Sequence, residues 1–599
     1  MQLLTKRPIL KKLWYGAMLV LSSAALCAVC LLLAFGVGVP QVYIGYFTHP
    51  QIFLLNWIPM LIVQLLLLCI FNRQWAAFLV SGIFFASAHI GNFFMLKIRF
   101  EPFKFSDVRS ISAGLEVAGN YDISPNSRIY LLIAAIIFGT LFLAFLVKGG
   151  LSGKKRIVTA AVCLALVWPL WGLVYSNKDI YNNKTDNSEW VIATWDKEVF
   201  LSKGFVYPFI HSIRESADLV PEGYDAEKAA ELISAYTDSD IPADRRVNIM
   251  AIQLEAFSDF EAMGVEGIEP ECYELFRQLK AESMSGTLVP MVLGGGTINT
   301  ERSFLAGTHG LLSYGEPAPS YVRYLAEQGY TTVGSHPNRC DYYNRINVNS
   351  NLGFQDYRYT NNYYQELTGG EWYCDDVMLP EIFDQLIELS GAGETVFSFN
   401  VTLQGHSPYR SDGYDYERIF WQREGASEES SHVFNNYLGS LNETMHYLAI
   451  ETDRLREYSE PVVMILYGDH KPYFSEAPVY EEAGISFDMQ SEQGFINYYS
   501  TPYLIWANQA AKDKLGKEFT GELPTISPGY MMNVLFDVLG WEGNAFMKFT
   551  DGIMESLPVA SYNGGYVEDG VFSTSPSEKA AGMIENYKWV QYYCQKSFE

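Results

Sequence analysis

Four apolar runs of this 599-residue chain end on a carboxylate or an imidazole. NIMAIQLE closes on Glu255, TTVGSH on His336, FSFNVTLQGH on His406, and VVMILYGDH on the adjacent pair Asp469 and His470. Carboxylate oxygens and an imidazole nitrogen together suit Mn²⁺ or Zn²⁺ better than Ca²⁺, which takes oxygen alone. A lone histidine at a strand tip is ordinarily structural. Asp-His straight after an apolar strand is a stronger signal, and Gly468 just before it would let a ligand approach the backbone. A nucleophile is also present. VPMVLGGGTINTERSFLAG sets three glycines, 294–296, before Thr297. Glycine permits positive φ and close approach, and Thr297 would open the next helix, where free amides favour an anion. Metal coordination there would lower the hydroxyl pKa and activate it. The alternative is that Thr297 or Thr300 is simply a helix N-cap.

These tips need a frame that brings them together. From Arg245 onward strand-like and helix-like runs alternate. VNIMAIQLEAF, GTLVPMVL, TTVGSHP, TVFSFNVTLQGH, PVVMILYGDH and TPYLIWAN read as strands. PECYELFRQLKAES, SYVRYLAEQGY, HVFNNYLGSLNETMHYLAIETDRL and GYMMNVLFDVLG read as helices. Near-continuous apolar strands between helices predict a mostly parallel central sheet covered on both faces, an α/β fold. In such folds ligands bind beyond the carboxyl ends of the strands. The tyrosine-rich run 357–364 reads as a packed surface strip, with a sugar platform as the alternative.

Charge divides the chain. Residues 1–175 carry 14 Lys/Arg and 4 Asp/Glu, and the remainder carries 28 and 64. So acidic a body repels phosphate backbones and argues against nucleic acid as a partner. The cysteines show no CxxC spacing, which argues against a four-cysteine zinc site; Cys340 and Cys374 either pair or stay free. Among the histidines outside the strand tips, His309 is the one that follows the Thr297 loop closely.

Five apolar stretches, about 14–37, 52–71, 75–96, 129–147 and 157–175, have the length a bilayer core demands. Lys6, Arg7, Lys11, Lys12, Arg73, Lys148, Lys154, Lys155 and Arg156 flank them on one side. By the excess of positive charge on the cytoplasmic side, this places the chain after 176 outside a cell membrane. Lys97, Arg99, Lys104 and Arg109 fall in an outer loop with interleaved aromatics. That loop either lies on anionic headgroups or is an ordinary connector. The division expected is a five-span domain over 1–175, a helical connector over 176–245 and an extracellular catalytic domain over 246–599.

NIMAIQLEAFSD, GGGTINTE, SHPNRCDYYNRINVNSNLGF, LQGHSPY and YGDHKP, in this order, resemble the lipoteichoic acid synthase family within the alkaline phosphatase and sulfatase superfamily. The five-span amino-terminal part resembles it too. The resemblance implies an extracellular sulfatase-like domain that binds one divalent ion, usually Mn²⁺ with Mg²⁺ or Zn²⁺ as alternatives, through Glu255, Thr297, Asp469 and His470. It implies Thr297 as nucleophile and His336, Asn338, Tyr343, Arg345 and His406 around the bound glycerol phosphate. His406 would protonate a leaving oxygen or bind phosphate. The implied reaction takes glycerol phosphate from phosphatidylglycerol at the membrane surface, through a phosphothreonine. It is then passed to a polyglycerol phosphate chain or its glycolipid primer. This chain departs from the pattern at Asn338, where the best-known members have Asp, at Tyr343, where they have Trp, and at Arg302, where Phe is usual after the glutamate. The departures touch the acceptor contacts, and related primases add only the first glycerol phosphate.

Three other readings stand beside this one. A sulfatase needs a Cys/Ser-x-Pro-x-Arg segment, which Cys340 does not begin. A phosphoethanolamine transferase shares the five-span layout and the threonine. A non-catalytic membrane scaffold would not need metal ligands on four strand tips.

Overall fold

The computed structural model describes residues 8–34, 40–98, 102–105, 108, 124–185, 187, 196–218, 220–310, 314–340, 342–369, 374–475, 477–561 and 564–598. The chain divides into two units, Met1–Val220 and Pro221–Glu599.

In the first unit five helices are long and apolar enough to cross a membrane: Pro8–Ala34, Pro50–Phe71, Gln74–Ile98, Ser127–Leu146 and Gly153–Leu170, the last continuing to Tyr175. Their apolar stretches of 20–24 residues rise about 30–36 Å, the depth of a hydrocarbon core. The outward faces stay apolar, with Phe138, Phe145 and Trp168 well exposed; a helix greasy on its exposed side is built for lipid. Some polar groups inside are paired between helices, as Trp57 Nε1 is on Ser23 Oγ at 2.9 Å. Helix Val206–Asp218 sets Phe209 against Phe103 at 5.5 Å, and Ser212 Oγ accepts from the Phe105 N–H. The described part of the aromatic-basic loop is therefore pinned on protein. Its Arg99 and Arg109, like Lys6 and Arg7 at the start, lie outside the described residues.

The second unit is built on an eight-stranded sheet of order β4-β3-β5-β1-β6-β7-β2-β8. The strands are β1 (Asn248–Leu254), β2 (Met284–Leu288), β3 (Tyr330–His336), β4 (Asp356–Tyr359), β5 (Thr395–Val401), β6 (Val462–Gly468), β7 (Thr501–Ala507) and β8 (Gly521–Glu522). From β4 to β6 all neighbours run parallel; β7 runs antiparallel to both β6 and β2. Every residue of β1 and β6 is buried, which is why these strands read as unbroken apolar runs. Helix Glu428–Arg456 covers one face through Phe434, Tyr437, Leu441 and Leu448. Ser427 caps it, and acids in its first turn with Arg454 and Arg456 in its last complement its dipole.

Three details differ from expectation. Of GTLVPMVL only the Gly286–Leu288 part joins a strand, since Pro290 has no N–H for the ladder. The tyrosine run is core rather than surface: Tyr357, Tyr359 and Tyr364 are buried, the first two stacked at 4.8 Å. Helices Asp375–Gly391 and Glu578–Lys596 were not foreseen, nor was a small sheet of β9 (Val559–Ser561), β10 (Gly565–Glu568) and β11 (Val571–Ser573). Of the two expectations for Cys340 and Cys374, the one without a disulfide holds: both keep their thiols.

Candidate active site

β1 and β6 are parallel neighbours with Leu254 opposite Gly468, so the next residues, Glu255 and Asp469, leave the sheet side by side. The turn is cross-braced. The Asp469 N–H donates to Leu254 O at 3.3 Å, and the Ala256 N–H donates to Asp469 Oδ1 at 2.8 Å. Ala256 sits at φ 52°, a left-handed conformation that costs a non-glycine residue about 1–2 kcal/mol. The Glu255 N–H donates to Thr402 Oγ1 at 2.9 Å. Gly468 has a different use from the one expected. A Cβ there would lie 2.0 Å from the Phe257 carbonyl oxygen, so the missing side chain admits the chain's own turn and not a ligand.

Gly294, Gly295 and Gly296 take φ of 66°, 113° and 76° and carry the chain from the sheet into helix Thr297–Ala306. Gly296 occupies the N-cap, and no side chain caps the helix. Thr297 Oγ1 instead lies 3.3 Å from Glu255 Oε2 and 3.4 Å from His470 Nε2. Thr300 Oγ1 donates to Asp469 O at 2.8 Å. Both threonine hydroxyls are thus engaged across the strand tips. His470 Nδ1 lies 2.9 Å from Lys471 O. A proton on Nδ1 leaves the Nε2 lone pair facing Thr297 and accepting from the Gly295 N–H at 3.2 Å.

Glu255, Asp469 and His470 each present a ligand atom, all within 4.8 Å of one another. His470 Nε2 is 3.5 Å from Glu255 Oε1 and 3.4 Å from Asp469 Oδ2. All three residues are buried, and Asp469 Oδ2 has no hydrogen-bond partner among the described residues. Burial, then the Asp469 charge, push the Glu255 carboxyl up to about 8. Two buried carboxylates with an unfilled oxygen are costly on their own. Two carboxylates, a bare imidazole nitrogen and a hydroxyl are a donor set that fits a divalent cation such as Mn²⁺, Mg²⁺ or Zn²⁺.

The other expected residues are held by other partners. His336, at the tip of β3, donates from Nδ1 to Val401 O at 2.9 Å; burial and then Arg345 hold its pKa well below the usual imidazole range, so it is neutral. Asn338 is half-buried, its Oδ1 accepting from the Arg339 N–H. Tyr343 adopts φ 55° and lays its ring 5.2 Å from the Arg345 guanidinium. His406 is exposed, with Nδ1 on Ser407 O. Arg345, expected to grip phosphate, is 2% exposed and forks onto Glu301, Nη2 at 2.8 Å and Nε at 3.0 Å from Oε2. Glu301 lies four residues after Thr297, one helical turn on, and that spacing was the sequence signal for a second group on the same helix face. His309 stays apart: its N–H is on Gln591, its ring is against Tyr587, and burial pulls its pKa down to about 4.

The sulfatase family profile matches residues 247–540. A Rhizobium meliloti (strain 1021) protein named for cyclic beta-1,2-glucan modification is 24% identical over 490 residues, which is 77% of this chain and 72% of the relative. Two solved structures are similar. One is the Streptococcus pyogenes phosphoglycerol transferase GacH in complex with sn-glycerol-1-phosphate, at 18% identity, 63% of this chain, 95% of that one and TM-score 0.48. The other is the Listeria monocytogenes lipoteichoic acid synthase LtaP, at 17%, 61%, 97% and 0.44. Glu255, Thr297, Asp469 and His470 all fall inside the matched segment, so residues 247–540 form a sulfatase-like domain.

Proposed function

We propose that this protein is a membrane-bound, metal-dependent phosphotransferase. It moves glycerol phosphate from phosphatidylglycerol to a hydroxyl acceptor of the cell envelope, a polyglycerol phosphate chain of lipoteichoic acid or its glycolipid primer. Residues 1–175 anchor it in the cell membrane, 176–245 connect, and 246–599 work outside the cell, where lipid headgroups are in reach. One contact carries the reading: the Thr297 hydroxyl lies 3.3 Å from a buried carboxylate and 3.4 Å from a bare imidazole nitrogen.

Glu255, Asp469 and His470 would hold the ion, which supplies Lewis acidity to the phosphate and the hydroxyl. Thr297 Oγ attacks phosphorus, the bond to the diacylglycerol oxygen breaks, and a phosphothreonine forms. The acceptor hydroxyl then attacks phosphorus and releases Thr297. Glu255 Oε2 accepts the Thr297 hydrogen bond and turns the oxygen lone pairs outward. The first amides of helix Thr297–Ala306 face the phosphate. His406, exposed at the tip of its loop, hands a proton to the leaving oxygen, a service worth about 10²–10⁴-fold. Neutral His336 contributes hydrogen bonding without charge. Arg345 is committed to Glu301 and lines the glycerol phosphate side of the site as half of a neutral pair rather than as an open fork.

The relative named for glucan modification favours a second acceptor, the hydroxyl of a glycan. The donor half-reaction is common to both. With radiolabelled phosphatidylglycerol, the wild type is expected to release diacylglycerol and to trap label on protein, and Thr297→Ala to do neither. Label on the Thr297→Ala protein at the wild-type level sinks the proposal.

A further inference from the structure

Helix Thr297–Ala306 reaches a second site with its other end. Ala306 lines a cavity of about 320 Å³, together with Thr308 and Tyr314 from the segment that follows. Most of the remaining walls come from helices Tyr321–Glu327, Ala545–Met554 and Glu578–Lys596, with Asp238 and Phe598 at their margins. The volume is at the small end of the range for sites that take organic ligands.

The walls carry unfilled hydrogen-bonding capacity. Thr308, Tyr314 and Tyr321 are 4%, 3% and 1% exposed, and none of their hydroxyls makes a well-formed hydrogen bond among the described residues. Thr308 and Tyr314 lie within hydrogen-bonding reach of one another, as Tyr321 does of Thr550, so each hydroxyl keeps part of its bonding capacity for a ligand. Buried hydroxyls with spare bonding capacity favour a ligand rich in donors and acceptors. Phe546 and Phe598 offer apolar surface beside them.

The charge pattern narrows the class. Arg323 is the one cationic residue on the walls, and its Nε and Nη2 are committed to the carbonyls of Ala318 and Asn351. Asp238 and Glu327 add negative charge. A phosphate would meet repulsion here, whereas a neutral polyol fills the hydroxyl partners and lies on the rings.

We propose that this cavity binds a neutral sugar unit, the carbohydrate part of the acceptor, about 15 Å from the nucleophile along a ten-residue helix. The word acceptor rests on the transferase reading; the binding does not. The test is saturation-transfer difference NMR on the full chain in detergent, with a β-1,2-linked glucose disaccharide as probe. Saturation is expected to reach the sugar ring protons in the wild type and in Thr297→Ala alike. Tyr314→Phe and Phe598→Ala are expected to weaken binding about ten-fold, and inorganic phosphate to leave it unchanged. Tyr321→Phe, which removes a single oxygen, serves where a larger change lowers the melting midpoint. No transfer of saturation in the wild type, equal signals in all variants, or displacement by phosphate overturns the site. Sugar binding in a protein that never labels Thr297 keeps the cavity and sinks the transferase; label without sugar binding does the reverse.

Discussion

Thr297, Glu255, Asp469 and His470 come from three distant segments, and each can be removed separately. The donor set predicts that Mn²⁺ raises the melting midpoint of the wild type and EDTA lowers it. An ion at a hundred times its Kd stabilises by about 2.7 kcal/mol. Asp469→Asn is expected to lose most of that shift, so an equal EDTA effect in the variant would place the ion elsewhere. A second prediction concerns the ion pair below. Glu301→Ala leaves the Arg345 charge buried and unpaired, at a cost of about 3–5 kcal/mol. Glu301→Met with Arg345→Met is expected to cost less than the single change, read by denaturant titration. The clustering of Glu255, Asp469 and His470 was legible because strand tips in acid or imidazole are chemically conspicuous, and Thr297 stood out by the three glycines before it. The Glu301–Arg345 fork was not, because nothing in a linear spacing says that residue 345 folds back on residue 301. Gly468 was seen, but its reason was misread, since the Phe257 carbonyl that occupies its space is a tertiary contact.

At the scale of elements, the loop bearing His406 depends on helix Asp375–Gly391. The Asp375 N–H donates to Gln404 Oε1 at 2.9 Å, and Thr444 Oγ1 donates to Asp375 Oδ2 at 2.7 Å. Burial lifts the Asp375 carboxyl to about 6, above an ordinary value of about 3.9. A raised acid favours the folded state when protonated, so its contribution is complete below about pH 4 and is lost as pH rises through about 6. The loss amounts to about 3 kcal/mol for about two units. Asp375→Asn has no such slope, and melting midpoints of the two proteins across pH 4–7 are expected to diverge in that sense. Parallel slopes would show that Asp375 is an ordinary surface-like acid. The buried strands were readable because both faces are covered and the pattern is continuous. Strand direction was not: β7 shows the same apolar run as its parallel neighbours, and only its pairing reverses it. β4 was hidden because its tyrosines carry hydroxyls, while the structure buries the rings and lets Tyr359 OH accept from Asn349.

For the whole molecule, two bodies of opposite charge meet two solvents. The first unit keeps apolar side chains outward, and the remainder of the chain carries most of the acidic residues. The membrane helices were legible because hydrocarbon tolerates so few sequences. Which way round they sit is a prediction. Protease added to intact cells is expected to digest the segment after 221 and to spare a fragment holding the five helices. Protection of the large unit until lysis would reverse the orientation and remove phosphatidylglycerol of the outer surface as donor.

The left-handed bend at Ala256 has a practical use. Its amide is tied to Asp469 Oδ1, so a single backbone proton beside the cluster serves as a gauge of whether the cluster is intact. Deuterium uptake at that one position should quicken when the carboxylate is loosened, by chelator or by Asp469→Asn, even in a preparation with no turnover to measure.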